Sequence, residues 1–204
     1  MNSKIRTCTN EDALVLAETI RKSFKDVAER FGLTQENAPR HPFNCTVDWI
    51  QKDMARGVTY FVIENKNCVV GCVALEMANS EVCYLERLSV FPNQRQQGFG
   101  KALVTHVLSK AKLLGVHCVN IGIIAEHNEL KNWYKGIGFV EVRERARNIR
   151  TCLSVSPSCH TRQMITVNNK LYLTRRIRTS DHHITLFLSV ILNSENYPLL
   201  KLSS

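Results

Sequence analysis

The sequence of 204 residues predicts an α/β fold. A mixed central sheet, an antiparallel meander plus a parallel strand–helix–strand unit, is flanked by helices. Three observations carry this. Residues 59–90 hold three strand-like runs joined by turns short enough for hairpins. A long amphipathic stretch then leads into the nearly continuous apolar run 116–124, the pattern of a strand buried on both faces. Ahead of the meander, apolar residues recur at helical spacing.

In order along the chain, residues 5–7 predict a short opening strand. Thr9-Asn10-Glu11-Asp12 reads as a helix start, a small polar cap followed by acids that suit the helix dipole. Ala13, Leu14, Leu16, Ala17, Ile20 and Phe24 mark the buried face, and 26–31 reads as a second short helix. Two prolines make 37–43 a loop. Thr46 caps a further helix through Trp49, Ile50 and Met54, ending near Gly57. The meander runs 59–64, 68–77 and 82–90. In its third strand Leu85, Arg87 and Ser89 alternate against Glu86, Leu88 and Val90. A helix with Leu103, Val107, Ala111 and Leu114 on one face follows, stopped by Gly115. Residues 128–135 form another helix, stopped by Gly136, and 139–142 start a strand. Beyond Arg143 the pattern weakens. A hairpin around Asn168-Asn169 and a strand within 183–192 are the candidate elements.

Composition narrows the function classes. A 44% hydrophobic chain is globular rather than disordered. The net charge of +9 divides into +3 over residues 1–143 and +6 over 144–204. The simplest reading is a solvated basic face with a basic tail, since no nucleic-acid-binding motif accompanies the charge. Eight cysteines include no C-x-x-C pair, and Cys72, Cys83 and Cys118 sit in apolar runs as small hydrophobes. Zinc needs paired ligands at short spacing, so no metal is expected, and His182-His183 is too isolated to make a site. Reduced thiols, no signal-like N-terminal run and no membrane-length apolar stretch lead to the expectation of a cytoplasmic protein without a membrane partner.

The chemistry concentrates in Arg95-Gln96-Gln97-Gly98-Phe99-Gly100-Lys101, between a strand and the first turn of a helix. Unpaired N–H groups there, the helix dipole, two glycines and the flanking charges of Arg95 and Lys101 make an anion cradle suited to a pyrophosphate. It is neither a Walker loop nor a Rossmann fingerprint. The alternative is that Gly98 and Gly100 only permit a tight turn and close helix packing.

With its flanks the segment resembles the GCN5-related N-acetyltransferase (GNAT) family. Glu86-Arg87-Leu88-Ser89-Val90-Phe91-Pro92 looks like the family's fourth strand, 98–115 its main helix, and 116–124 its fifth strand. Trp133-Tyr134-Lys135-Gly136-Ile137-Gly138-Phe139 is similar to its Tyr-x-x-x-Gly-Phe signature. The resemblance implies a GNAT-type sheet in a domain of residues 1–143, with the acetyl-CoA core over about 58–143 and a basic segment 144–204 supplying or replacing the last strand. It implies that acetyl-CoA is the acyl donor. The backbone of Leu88, Ser89 and Val90 would pair with the pantetheine arm like an added strand. The amides of Gln96, Gln97, Gly98, Phe99, Gly100 and Lys101 would hold the pyrophosphate, with Arg95 beside them. Tyr134 would protonate the departing thiolate. Glu86, on the strand beside the cradle, is the first candidate base for the attacking amine; Glu126 is the second. Tyr84 shares the face of Glu86 and either lines the pocket or packs. Many family members carry an asparagine seven residues before the tyrosine. Here that position is His127, and Asn128, one residue later, either contacts the cofactor or caps the helix.

These readings give direct acetyl transfer from acetyl-CoA to a primary amine. A small-molecule acceptor is favoured over a protein, and a homodimer stays open. The alternatives are an acetyl-CoA-binding protein without turnover, its acceptor site lost to the atypical C-terminus, and a nucleic-acid adaptor acting through Arg175-Arg176-Ile177-Arg178.

Overall fold

The computed structural model describes residues 3–141 and the strand backbones of 165–167, 170–172 and 185–191. Strand β1 (Ser3–Thr7) leads into a short 3-10 turn. There Thr9 N–H donates to Asp12 Oδ2 at 2.9 Å, so the polar start expected from 9–12 forms. Helix α1 runs unbroken over Ala13–Arg30. The helical extension expected over 26–31 is present but continuous with α1 rather than a second helix, because nothing in that stretch interrupts the helical hydrogen-bond ladder until Gly32, at φ +61. Thr46 caps α2 (Val47–Ala55), accepting from Trp49 N–H at 3.1 Å.

The meander is β2 (Thr59–Asn65), β3 (Cys68–Met77) and β4 (Val82–Val90). Helix α3 (Phe99–Leu113) and β5 (Cys118–Ile124) complete the strand–helix–strand unit, and β4 pairs with β5 in parallel. Leu103, Val107 and Ala111 face the core, whereas Leu114 lies past the helix and is exposed. Helix α4 (Asn128–Ile137) passes through Gly136 and ends at Gly138, whose φ of +109 is the left-handed turn that stops it. Strand β6 (Val140–Glu141) follows. Strands β7 (Ile165–Val167) and β8 (Lys170–Tyr172) form the hairpin expected around Asn168-Asn169 as a separate two-stranded sheet. Strand β9 (Thr185–Ile191) falls within the segment 183–192.

The main sheet has the order β1-β2-β3-β4-β5-β9-β6. Strand β9 enters between β5 and β6, antiparallel to both. Two apolar layers sit on opposite faces. One gathers Phe61, Ile63, Val73, Leu75 and Leu85 against Leu103, Val104 and Val107 of α3. The other gathers Tyr60, Val62, Cys72 and Ala74 against Leu16, Ala17 and Ile20 of α1 and Ile50 of α2. Cys72, Cys83 and Cys118 are buried, as expected of small hydrophobes. No helix among the described residues is long and apolar enough to cross a membrane.

The alternation expected along β4 breaks. Cys72 pairs with Ser89, but Ala74 pairs with Glu86, so one residue of β3, Val73, opposes two of β4, Arg87 and Leu88. Arg87 carries the extra residue at φ +52. Glu86, Arg87 and Ser89 therefore all belong to the α1–α2 face, while Leu88 packs against the α3 layer.

Candidate active site

Strands β4 and β5 pair only where Val82, Cys83 and Tyr84 meet Cys118, Val119 and Asn120. Past that point the two strands part, and β4 keeps β3 alone as its neighbour. The bulge at Arg87 decides which backbone groups face the gap. Phe91 N–H donates to Val70 O at 3.0 Å, and the Ser89 carbonyl lies 2.5 Å from where a Cβ on Gly71 would stand, so both turn to β3. Alternation then directs the Leu88 and Val90 backbone into the gap. Of the three residues expected to pair with a pantetheine arm, Leu88 and Val90 turn their backbone to the gap, where the Val90 carbonyl accepts from Arg95 Nε at 3.3 Å. Ser89 does not: it is committed to β3, and its buried hydroxyl donates to Arg87 O at 2.9 Å. Gly71 is a residue the sequence reading missed. Its isolated glycine inside a strand pattern was the available signal, and it lets β3 approach the bulge without a clash.

At the end of β4 the chain folds into the cradle. Gln96 (φ +63) and Gly98 (φ +85) are both left-handed, and Gly98 caps α3. Nothing lies within 4 Å of a Cβ built on Gly98, so the space over it is open. The first-turn amides of Phe99, Gly100 and Lys101 have no partner within the helix, and the Lys101 side chain is exposed beside them. This is a fit for a diphosphate. At Gly100 a Cβ would meet the Trp133 ring at an ordinary 3.5 Å and the Val90 side chain at 3.9 Å, so the approach of α4 to α3 does not require a glycine there. Gln97 is exposed, its amide donating to Asn93 O at 3.5 Å. Arg95 does not point into the cradle: its guanidinium ion-pairs with Asp26 and donates to Ser23 O at 2.7 Å, while Nε donates to Val90 O at 3.3 Å.

Tyr134 lies on α4, 4% exposed, its ring edge-on to Trp133 at 4.8 Å and to Phe139 at 5.2 Å. Its carbonyl accepts from Phe139 N–H at 3.1 Å, so the Tyr-x-x-x-Gly-Phe pattern is a helix end: Gly138 makes the turn and Phe139 folds back under the tyrosine. Burial pushes the phenol well above its ordinary value, which keeps the proton on the oxygen. The cap of α4 is His127, whose Nδ1 accepts from Leu130 N–H at 3.4 Å. Asn128 is the first helical residue and exposed, so the expectation that it caps the helix fails: the ring one residue earlier already holds that N–H.

Glu86 belongs to the α1–α2 face, whereas Tyr134 packs in the α3 layer. Tyr84 shares the face of Glu86, since Tyr84 pairs with Glu76 as Glu86 pairs with Ala74. The Glu86 side chain keeps 38% of its surface. Even so, the surrounding protein desolvates the carboxyl and, with the negative charges of Glu76 and Asp53, raises it to about 7; Arg56 opposes this. Its nearest cation, Arg87 Nη2, is 4.0 Å away. Glu126 is exposed in the turn after β5.

Beneath Glu86 lies a buried network absent from the sequence reading. Asp53 Oδ2 accepts from Tyr60 Oη at 2.8 Å and from Arg87 Nη1, while Oδ1 accepts from Arg56 Nη2 at 2.8 Å. Arg87 also stacks 4.9 Å from the Trp49 ring. Burial draws the Arg87 pKa down, and the Asp53 charge opposes it. Three of the buried or half-buried cysteines are poor nucleophiles: burial pushes Cys45 to about 11 and Cys8 and Cys83 to about 12. Among the described residues no group of three His, Cys, Asp or Glu side chains converges to hold a metal ion.

With this geometry in view, a family model described as "Acetyltransferase (GNAT) family" matches residues 22–139. No curated protein matches the chain in sequence. Solved structures share the fold. A PaiA N-acetyltransferase from Thermoplasma acidophilum, in complex with coenzyme A, is 14% identical with a TM-score of 0.62, over 94% of this chain and 99% of that one. The ribosomal-protein-S18-alanine N-acetyltransferase of Escherichia coli is 12% identical with a TM-score of 0.60, over 97% and 99%. A GNAT family acetyltransferase from Elizabethkingia anophelis, with acetyl-CoA bound, is 15% identical with a TM-score of 0.52, over 94% and 99%.

Proposed function

As the chain belongs to the acetyltransferase (GNAT) family, we propose that it carries an acetyl group from acetyl-CoA to a primary amine by direct attack. The observation that carries this reading is the parting of β4 and β5 past Tyr84 and Asn120, with the open backbone of Gly98 following β4, and with Glu86 on the α1–α2 face and Tyr134 in the α3 layer. The first-turn amides of α3 and Lys101 hold the diphosphate, and the Leu88 and Val90 backbone pairs with the pantetheine arm. Bound acetyl-CoA supplies the acyl group as an activated thioester.

Glu86 takes the proton that the attacking ammonium must lose. A carboxylate titrating near 7 is matched to that task at neutral pH, whereas an ordinary carboxylate is a much weaker base. Tyr134, kept protonated by burial, gives its proton to the departing thiolate from the other face. Tyr84, beside Glu86 on the α1–α2 face, borders the acceptor side, and a small-molecule amine acting in the cytoplasm remains the favoured acceptor.

Calorimetric titration with acetyl-CoA, joined to thiol release over a panel of amines, tests the reading. Tyr134→Phe should lower kcat by about a hundredfold or more, the scale of general acid catalysis, with coenzyme A affinity preserved. Gly98→Glu should abolish coenzyme A binding. Normal binding by Gly98→Glu removes the cradle from the site. Tight binding without release on any amine favours a binding protein that does not turn over.

A further inference from the structure

The C-terminal half of α1 touches both walls of the gap. On one side Asp26 and the Ser23 carbonyl hold Arg95, in the loop that follows β4. On the other, Arg30 Nη1 pairs with Glu129 Oε2 at 2.9 Å, in the first turn of α4 after β5. Next to that pair the Phe31 ring lies 5.4 Å from the ring of His127, the α4 cap. These joints lie 69 and 99 residues apart in the chain. They meet at the end of the sheet where β4 and β5 have no hydrogen bonds to each other.

We propose that this end of α1 is a strut that sets the width of the β4–β5 gap, with Arg30 and Glu129 as positioning residues for acetyl-CoA. The inference rests on the acetyl-CoA reading above. A helix transmits a fixed length between its contacts, and this one adds to the direct meeting of α4 and α3 where Trp133 stands beside Gly100. Releasing one joint lets the walls part, which weakens the hold on a ligand threaded between them while leaving both cores intact.

Charge reversal separates a strut from a simple charge effect. Glu129→Arg adds positive charge near a polyanionic ligand, which by itself tightens binding. It also sets two arginines against each other, which a strut converts into weaker binding. The expected result is a coenzyme A Kd raised about two- to fivefold, the scale of an exposed ion pair. Arg30→Glu should weaken binding likewise, and the double exchange Arg30→Glu/Glu129→Arg should restore it. Calorimetry gives Kd, and thermal melting of the free protein gives stability. Tighter binding by Glu129→Arg, unchanged Kd with a lowered melting point, or failure of the double exchange to restore Kd overturns the strut. A wild-type protein that binds no coenzyme A overturns the acetyl-CoA reading and the strut's role with it.

Discussion

Replacing Asp53 by alanine is the sharpest test of how the site is built. The Asp53 side chain is 4% exposed, and that of its partner Arg87 is 7% exposed. Taking away the carboxylate leaves the Arg87 guanidinium buried, with the Tyr60 hydroxyl, the Trp49 face and the Glu86 carboxyl 4.0 Å away to answer it. Breaking a buried pair from one side costs about 3–5 kcal/mol. For a domain of this size each kcal/mol moves the melting point by about 2–4 °C, so the expected fall is roughly 6–20 °C. Function should fall too, because Arg87 occupies the left-handed bulge that turns Leu88 and Val90 to the gap, a conformation costing about 1–2 kcal/mol for a residue with a Cβ. Asp53→Asn keeps the shape and part of the hydrogen bonding and should lose less. Thermal and urea unfolding, with acetyl-CoA KM measured beside them, read both effects. A melting point within about 3 °C of wild type for Asp53→Ala, a change worth about 1 kcal/mol, would falsify the claim that this pair holds the bulge.

Other outcomes follow from the same geometry. With the Glu86 carboxyl raised to about 7, kcat/KM should climb through that pH and level off above it, and Glu86→Gln should flatten the limb. The stability sign is opposite: a carboxyl raised from 4.5 binds its proton more tightly when folded, so that contribution is full below 4.5 and disappears as pH rises through about 7. Glu86→Gln should therefore melt higher than wild type at pH 8, and a lower melting point there counts against the desolvated carboxyl. Gly100→Ala should fold almost normally, since its Cβ meets Trp133 at an ordinary 3.5 Å; Gly71→Ala, facing Ser89 O at 2.5 Å, should unfold far more readily, and equal melting points would contradict the packing. Of the two tryptophans, Trp49 is stacked under Arg87 while Trp133 stands over Gly100. Coenzyme A should change the emission of the Trp49→Phe protein and leave that of Trp133→Phe nearly still; the reverse pattern moves the ligand to the other face.

What the sequence determined by itself was whatever depends on near neighbours. Alternation over a few residues marks β2, β3 and β4, and the 3.6-residue period marks α1 and α3. Gly98 is legible because a left-handed helix cap is settled within a turn of chain, whereas the helix expected to stop at Gly136 runs on to Gly138. Tertiary structure alone decided the rest. The bulge at Arg87 has no local signature, since an arginine favours no left-handed turn; it is held by Asp53, 34 residues away. The tie of Arg95 to α1 spans 69 residues, so a side chain that reads as a phosphate ligand is turned to Asp26 instead. The Glu86 carboxyl draws its raised pKa from burial and from Glu76 and Asp53 on other elements, which no spacing along β4 encodes. Such groups meet only after the sheet has closed, and their energies come from shared burial rather than from sequence proximity.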